Sequence, residues 1–140
     1  MLRDPEFPIA GFILCVCLID QLAGFRYNKE CVGDRFRKFA EEYLVPLDNR
    51  YDPSHLYNDL RCKLIHEYSI GGNYALTNCG QEHHLKVVDG RVWLGIIPFV
   101  DHLENILTRY IDELHNDKKI QDNAIAWYGE RKIIGMLHKN

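Results

Sequence analysis

From Ile9 to Leu22 almost every position is apolar, and polar residues enter only at Asp20 and Gln21. A helix that is hydrophobic nearly all round belongs in the middle of a helical protein rather than on its surface. The run therefore predicts a central helix that starts after Pro8 and stops near Gly24. The next segment is amphipathic: Phe36, Phe39, Ala40, Tyr43 and Leu44 recur at three and four residues. That spacing predicts a second helix from about Asp34, a capping residue type, to Leu44, with Pro46 blocking its continuation.

Asp52-Pro53 puts a cap acceptor just before a proline at the first helical position, so a third helix is predicted from about Pro53 to Tyr68, ended by Gly71-Gly72-Asn73. The period then changes. Leu85 and Val87, then Val92, Leu94 and Ile96, alternate on either side of Asp89-Gly90, a favoured two-residue turn, which predicts a β-hairpin inserted between helices at about 84–97. From Pro98 the helical spacing returns, with Val100, Leu103, Ile106, Leu107, Tyr110, Ile111 and Leu114 on one stripe as far as about His115. The tail after Ile120 holds Trp127, Tyr128, Ile133, Ile134, Met136 and Leu137. It is too apolar to be left in water and is expected to dock on the helices or on a partner, with no clear periodicity of its own. No repeat, low-complexity stretch or linker interrupts the chain. The expected architecture is mainly α, an antiparallel four- to five-helix bundle with one inserted hairpin, forming a single domain over residues 1–140.

Composition narrows the functional classes. A chain of 140 residues suits one domain and buries roughly two-thirds of its unfolded surface, enough to fold without metal or disulfide. The net charge of −3 and pI near 6.1 exclude a basic field over the whole protein, so any contact with nucleic acid is confined to a small site. The five cysteines, at 15, 17, 31, 62 and 79, are odd in number and contain no C-x-x-C pair. They suggest neither a disulfide framework nor a zinc site, and fit a reduced, cytoplasmic protein. The longest apolar stretch, Ile9 to Ile19, is too short to span a bilayer, and Asp4 and Glu6 spoil the basic start of a signal peptide, so no membrane association is expected.

The candidate chemistry lies on the third helix. Leu56, Leu60 and Leu64 form its apolar stripe, while Asn58, Arg61, Cys62, Ile65, His66 and Ser69 fall on the other side. Arginine followed by histidine after four to six residues also occurs at Arg50/His55, Arg109/His115 and Arg131/His138, so the spacing alone is not specific. Context separates them. Arg50/His55 straddles the Asp52-Pro53 break, Arg109 and His115 lie off the apolar stripe of the last long helix, and Arg131/His138 has a glycine between its members. Only Arg61/His66 sits in mid-helix with leucines on one side and polar residues on the other.

The phrase Leu60-Arg61-Cys62-Lys63-Leu64-Ile65-His66-Glu67-Tyr68 resembles that of the HEPN domains (higher eukaryotes and prokaryotes nucleotide-binding). These are small antiparallel helical bundles with R-x(4-6)-H in a late helix, often within L-R-[polar]-x-L-x-H-x-Y. The resemblance is carried by about Pro53 to Tyr68, more loosely by the flanking helices, and hardly at all by the hairpin and tail. It implies an RNA-cleaving homodimer of toxin-antitoxin or phage-defence type, restrained by a partner such as a minimal nucleotidyltransferase, with Arg61 and His66 as the catalytic pair. Cys62 departs from the pattern, because many active members carry a polar residue after the arginine.

On a regular helix Arg61 and His66 would stand about 140° apart, too far for one chain to bring both onto one phosphate. Two copies packed through the face of Asn58, Cys62, Ile65 and Ser69 across a two-fold axis would unite them in a composite cleft. There His66 would exchange a proton with the ribose 2′-hydroxyl or the leaving oxygen, and Arg61 would hold the phosphate oxygens. The products would be a 2′,3′-cyclic phosphate and a free 5′-hydroxyl, with no metal or other cofactor. Asn58 and Cys62 are expected to orient the phosphate or the arginine, and Tyr68 to stack on a base or cap the cleft.

The competing structural reading pairs Arg61 with Asp59 or Glu67 and makes His66 a helix-end residue favoured by the macrodipole. Read as a strand, His83 and His84 point to opposite faces and cannot share a metal. Trp93, Trp127, Cys15 and Cys17 read as packing residues. The leading expectation is a metal-independent endoribonuclease, and the alternative is a non-catalytic dimeric module of the same fold that binds a nucleotide or a partner protein.

Overall fold

A computed structural model describes residues 7–28, 31–67 and 69–131. The chain is mainly helical with one small mixed sheet. Helix α1 (Phe7–Tyr27) is longer than the apolar run alone predicts, and α2 (Val32–Phe39), α5 (Ile96–Asn116) and α6 (Lys118–Arg131) all pack against it. Phe12, Val16, Ile19 and Ala23, spaced four, three and four apart, are its buried residues nearest the core. By length and composition, Ile9–Tyr27 is also apolar enough to cross a bilayer, which the shorter run did not suggest. Leu14, on the opposite side of α1, is 72% exposed.

Helix α2 begins two residues before Asp34, with Cys31 at the cap position. Asp34 therefore sits in the first turn, where it accepts from the Cys31 thiol and from Arg37 instead of capping. The helix widens into a π turn over Ala40–Leu44 before Pro46. The Val45 N–H bonds back five residues to the Ala40 carbonyl at 3.0 Å. Phe36, Phe39, Ala40, Tyr43 and Leu44 are all buried, as the three-four spacing predicts.

The third helical rod runs from Pro53 to Glu67 as α3 (Pro53–His55), a π-helical stretch (Leu56–Cys62) and α4 (Lys63–Glu67). Asp52 caps it, its side chain accepting from the His55 N–H at 2.9 Å. Leu56, Leu60 and Leu64 are fully buried, so the predicted core stripe is the observed one.

The predicted hairpin is present, as β2 (Val87–Val88) paired antiparallel with β3 (Arg91–Gly95) around Asp89-Gly90. Both turn residues have positive φ, as this turn demands. The hairpin is not the whole sheet. Strand β1 (Tyr74–Thr77) pairs in parallel with β3, Tyr74 opposite Val92 and Thr77 opposite Gly95, giving the order β1-β3-β2. Four residues with no clean alternation carry no strand signal of their own, and β1 owes its form to its partner. His83 and His84 lie in a turn before β2 and not on a strand.

Helix α5 (Ile96–Asn116) follows β3 directly. Phe99, Leu103, Ile106 and Tyr110 are its buried stripe, whereas Leu107 and Ile111, expected on that stripe, are exposed at 37% and 43%. Asp117 then accepts from the Lys119 and Ile120 amides and starts α6 (Lys118–Arg131). The tail thus has helical structure as far as Arg131, and Trp127 docks on Gly24 of α1. Ile133, Ile134, Met136 and Leu137 lie outside the described residues, as does Tyr68.

Candidate functional site

Arg61 belongs to the π-helical stretch and His66 to the regular turn that follows it. In a π-helix hydrogen bonds close five residues apart instead of four, so each residue turns the chain less than in an α-helix. The reach of the arginine brings the two site residues together within one chain: Arg61 Nη1 is 3.3 Å from His66 Nε2. This corrects the separation expected from a regular helix.

The contact fixes a proton. A guanidinium N–H only donates, so Nε2 of His66 accepts and a neutral ring carries its proton on Nδ1. The lone pair that would abstract a proton is the one facing Arg61. His66 is exposed, whereas the Arg61 side chain is 13% exposed.

Asp20 sets the direction of Arg61. Its Oδ2 accepts from Arg61 Nε at 2.8 Å, which leaves the two terminal nitrogens of the fork for His66 and the solvent side. Neither Asp59 nor Glu67 is the partner. Asp59 is taken by the Asn73 amide at 2.5 Å and Glu67 by Lys63 at 2.9 Å. Burial pushes the Asp20 carboxyl above the ordinary carboxylate range, while its hydrogen bond to Arg61 pulls the other way. Asp20 Oδ1 has no hydrogen-bond partner among the described residues. The Tyr57 ring lies beneath the guanidinium, 5.6 Å from its carbon. Sequence spacing could not find Asp20, which is 41 residues away. Its signal was a charged residue within an otherwise apolar helix.

The rod is shaped by the chain that doubles back over it. The Gly71 N–H donates to the Asp59 carbonyl at 2.7 Å, serving an oxygen inside the π stretch that a regular ladder would use itself. A Cβ at Gly71 would stand 2.5 Å from Asp59 Cβ and 2.8 Å from its Cα, so only glycine permits this approach. Gly71→Ala is expected to lower unfolding stability by about 1–3 kcal/mol, the usual range for overpacking against backbone. Urea denaturation checks this, and an unchanged midpoint would show that the approach is not needed.

Of the remaining candidates, Asn58 is exposed, Cys62 is half-buried, and Ile65 and Ser69 are exposed on the same side. Neither Arg50 and His55 nor Arg109 and His115 are brought together. Arg50 forks onto Asp48 at 3.0 and 2.7 Å, while His55 faces Asp52 at 3.7 Å. Arg109 is more than a solvated charge: it lies 4.4 Å from the Tyr43 ring centre and bonds Glu113 and the Glu42 carbonyl. His115 bonds the Ile111 carbonyl within its own helix, and His138 lies outside the described residues.

No protein-family model, curated protein or solved structure matches the chain.

Proposed function

We propose that this chain is a metal-independent endoribonuclease built as an antiparallel four- to five-helix bundle of HEPN type, acting in the cytoplasm in a toxin-antitoxin or phage-defence role. The observation that carries the reading is the 3.3 Å contact between Arg61 Nη1 and His66 Nε2 at the solvent edge of the rod. An RNA 2′-hydroxyl replacing the guanidinium at Nε2 would give up its proton there while its oxygen attacks the adjacent phosphorus. The released arginine fork would take the non-bridging oxygens and offset their growing charge, with Asp20 holding its inner edge.

The leaving 5′-oxygen needs a proton at the same time as the 2′-oxygen loses one, and one imidazole cannot do both in a single step. A second copy would supply the other. Packing through Asn58, Cys62, Ile65 and Ser69 across a two-fold axis would bring a second His66 to the phosphate and close the groove. In this arrangement each chain keeps its own Arg61 and His66 together, and the dimer adds the acid. Cys62 and Asn58 flank the phosphate, and an antitoxin such as a minimal nucleotidyltransferase would restrain the enzyme by covering this groove.

A labelled RNA incubated with the purified protein in EDTA tests the proposal. Fragments ending in 2′,3′-cyclic phosphate are expected. The commitment of Arg61 to Asp20 favours a second reading, a non-catalytic dimeric module that binds a nucleotide or a partner protein. Saturable binding with uncut RNA would select that reading over the nuclease.

A further inference from the structure

Away from the site, three side chains distant in sequence, His84 and Tyr51 buried and His102 half-buried, form one hydrogen-bonded chain. The Gly95 N–H meets His84 Nδ1 at 3.0 Å, His84 Nε2 meets the Tyr51 hydroxyl at 2.9 Å, and that hydroxyl meets His102 Nδ1 at 2.7 Å. Backbone N–H groups only donate, so His84 Nδ1 accepts and its ring proton sits on Nε2. That proton goes to the Tyr51 oxygen. The tyrosine proton is then free to point only at His102 Nδ1, which must also be an acceptor. Every proton in the chain has one direction, and both imidazoles must be neutral.

The connections matter as much as the protons. His84 and Tyr51 are 0% and 3% exposed. Gly95 ends β3 and is the cap position of α5, and His102 lies two turns into that helix. Tyr51 stands next to Asp52, the cap of the rod that carries Arg61 and His66. We propose that the chain Gly95, His84, Tyr51, His102 is an acid-sensitive latch: it ties the 45–52 loop to the β3–α5 junction while His102 is neutral, and releases it when His102 gains a proton. A proton on Nδ1 turns the acceptor into a donor facing an oxygen that already accepts from His84. The Tyr51 hydroxyl proton then has no acceptor in the chain. The latch does not depend on the nuclease reading.

The groups around it set the direction of the response. Burial and then the neighbouring His102 lower the His84 pKa to about 4, with Asp48 opposing and Arg50 assisting. Burial lowers His102 below its ordinary 6.5, against the pull of Asp48 and Asp101. Tyr51 is raised, first by burial and then by Asp48, with Tyr74 and Cys15 also near and Arg50 opposing, so it keeps its proton throughout. Phe99 packs against the tyrosine ring, centres 6.1 Å apart. A group whose pKa is lower in the closed state favours closing above its open-state value and loses that preference as pH falls. The latch is therefore closed above about pH 6.5 and opens progressively below it.

Amide hydrogen exchange across residues 47–56 and at Gly95, expressed as protection factors, tests this beside ¹⁵N imidazole NMR. At pH 8 both His84 and His102 should be Nε2–H tautomers. Below about pH 6.5, protection of the loop should fall by up to roughly tenfold per pH unit for each histidine that takes up a proton on opening. In His102→Asn the amide oxygen can still accept from Tyr51 but cannot charge, so the pH dependence should lose the share of His102 and retain at most that of His84. An unchanged pH dependence in this variant would overturn the proposal. So would an Nδ1–H tautomer at either histidine in the wild type, a result that needs no variant to fold.

Discussion

His66→Ala is expected to reduce RNA cleavage by ~10²–10⁴-fold, the usual contribution of a positioned general base, with little change in melting temperature because the ring is exposed. Arg61→Ala is a poorer probe of chemistry, since it would leave the half-buried Asp20 carboxylate without its cation. Arg61→Lys keeps the charge beside Asp20 but loses the planar fork, so turnover should fall while folding is retained. Mixing the two inactive variants distinguishes the arrangements. If Arg61 and His66 of one chain act as a unit, heterodimers of Arg61→Lys with His66→Ala contain no intact pair and stay inactive. Recovery toward half of wild-type activity would show that the arginine of one copy works with the histidine of the other, and would remove the role given to the 3.3 Å contact. Loss of cleavage in neither variant would move the chemistry away from the rod altogether.

The rod shows what pattern reading can and cannot reach. Its apolar face was legible because Leu56, Leu60 and Leu64 must leave water whatever the exact pitch, and its start was legible because Asp52-Pro53 is a local signal. The contact between Arg61 and His66 was not, because Arg61 lies in a π stretch over Leu56–Cys62 and is aimed by the distant Asp20. There the Asp59 carbonyl accepts from Gly71, a contact made by chain that has turned back. Asp20, Tyr51, His84 and His102 escaped for the same reason. Their partners lie 41, 33 and 51 residues away, beyond any periodicity. Strand β1 is the analogous case in the sheet, with a parallel partner across a long loop. The Asp52 cap and the Asp89-Gly90 turn were readable, whereas whatever needed two distant segments to meet was not.

The same distinction makes the α1–α6 contact a sharp test of packing. Gly24 is buried, and a Cβ built on it would fall inside the Trp127 indole. Trp127 is 5% exposed, with the Arg35 guanidinium carbon 4.5 Å from its ring centre. Helix α1 cannot yield at this point, because Ala23 and Tyr27 on either side are in the core. The indole must move instead, so Gly24→Val should expel it from its seat. In a Trp93→Phe background, where Trp127 is the remaining tryptophan, emission should shift to the red and α6 should become sensitive to protease. The stability loss should approach that of Trp127→Ala, about 3–5 kcal/mol for truncating a buried tryptophan. The two changes should not add. Once Trp127 is alanine, the space beside position 24 is vacant, and valine there fills part of it, so the double variant should be more stable than the sum of the single losses by about 0.5–3 kcal/mol. Strict additivity, measured by chemical denaturation of the four proteins, would mean that the indole does not rest on Gly24 in solution and that α6 is held to α1 elsewhere.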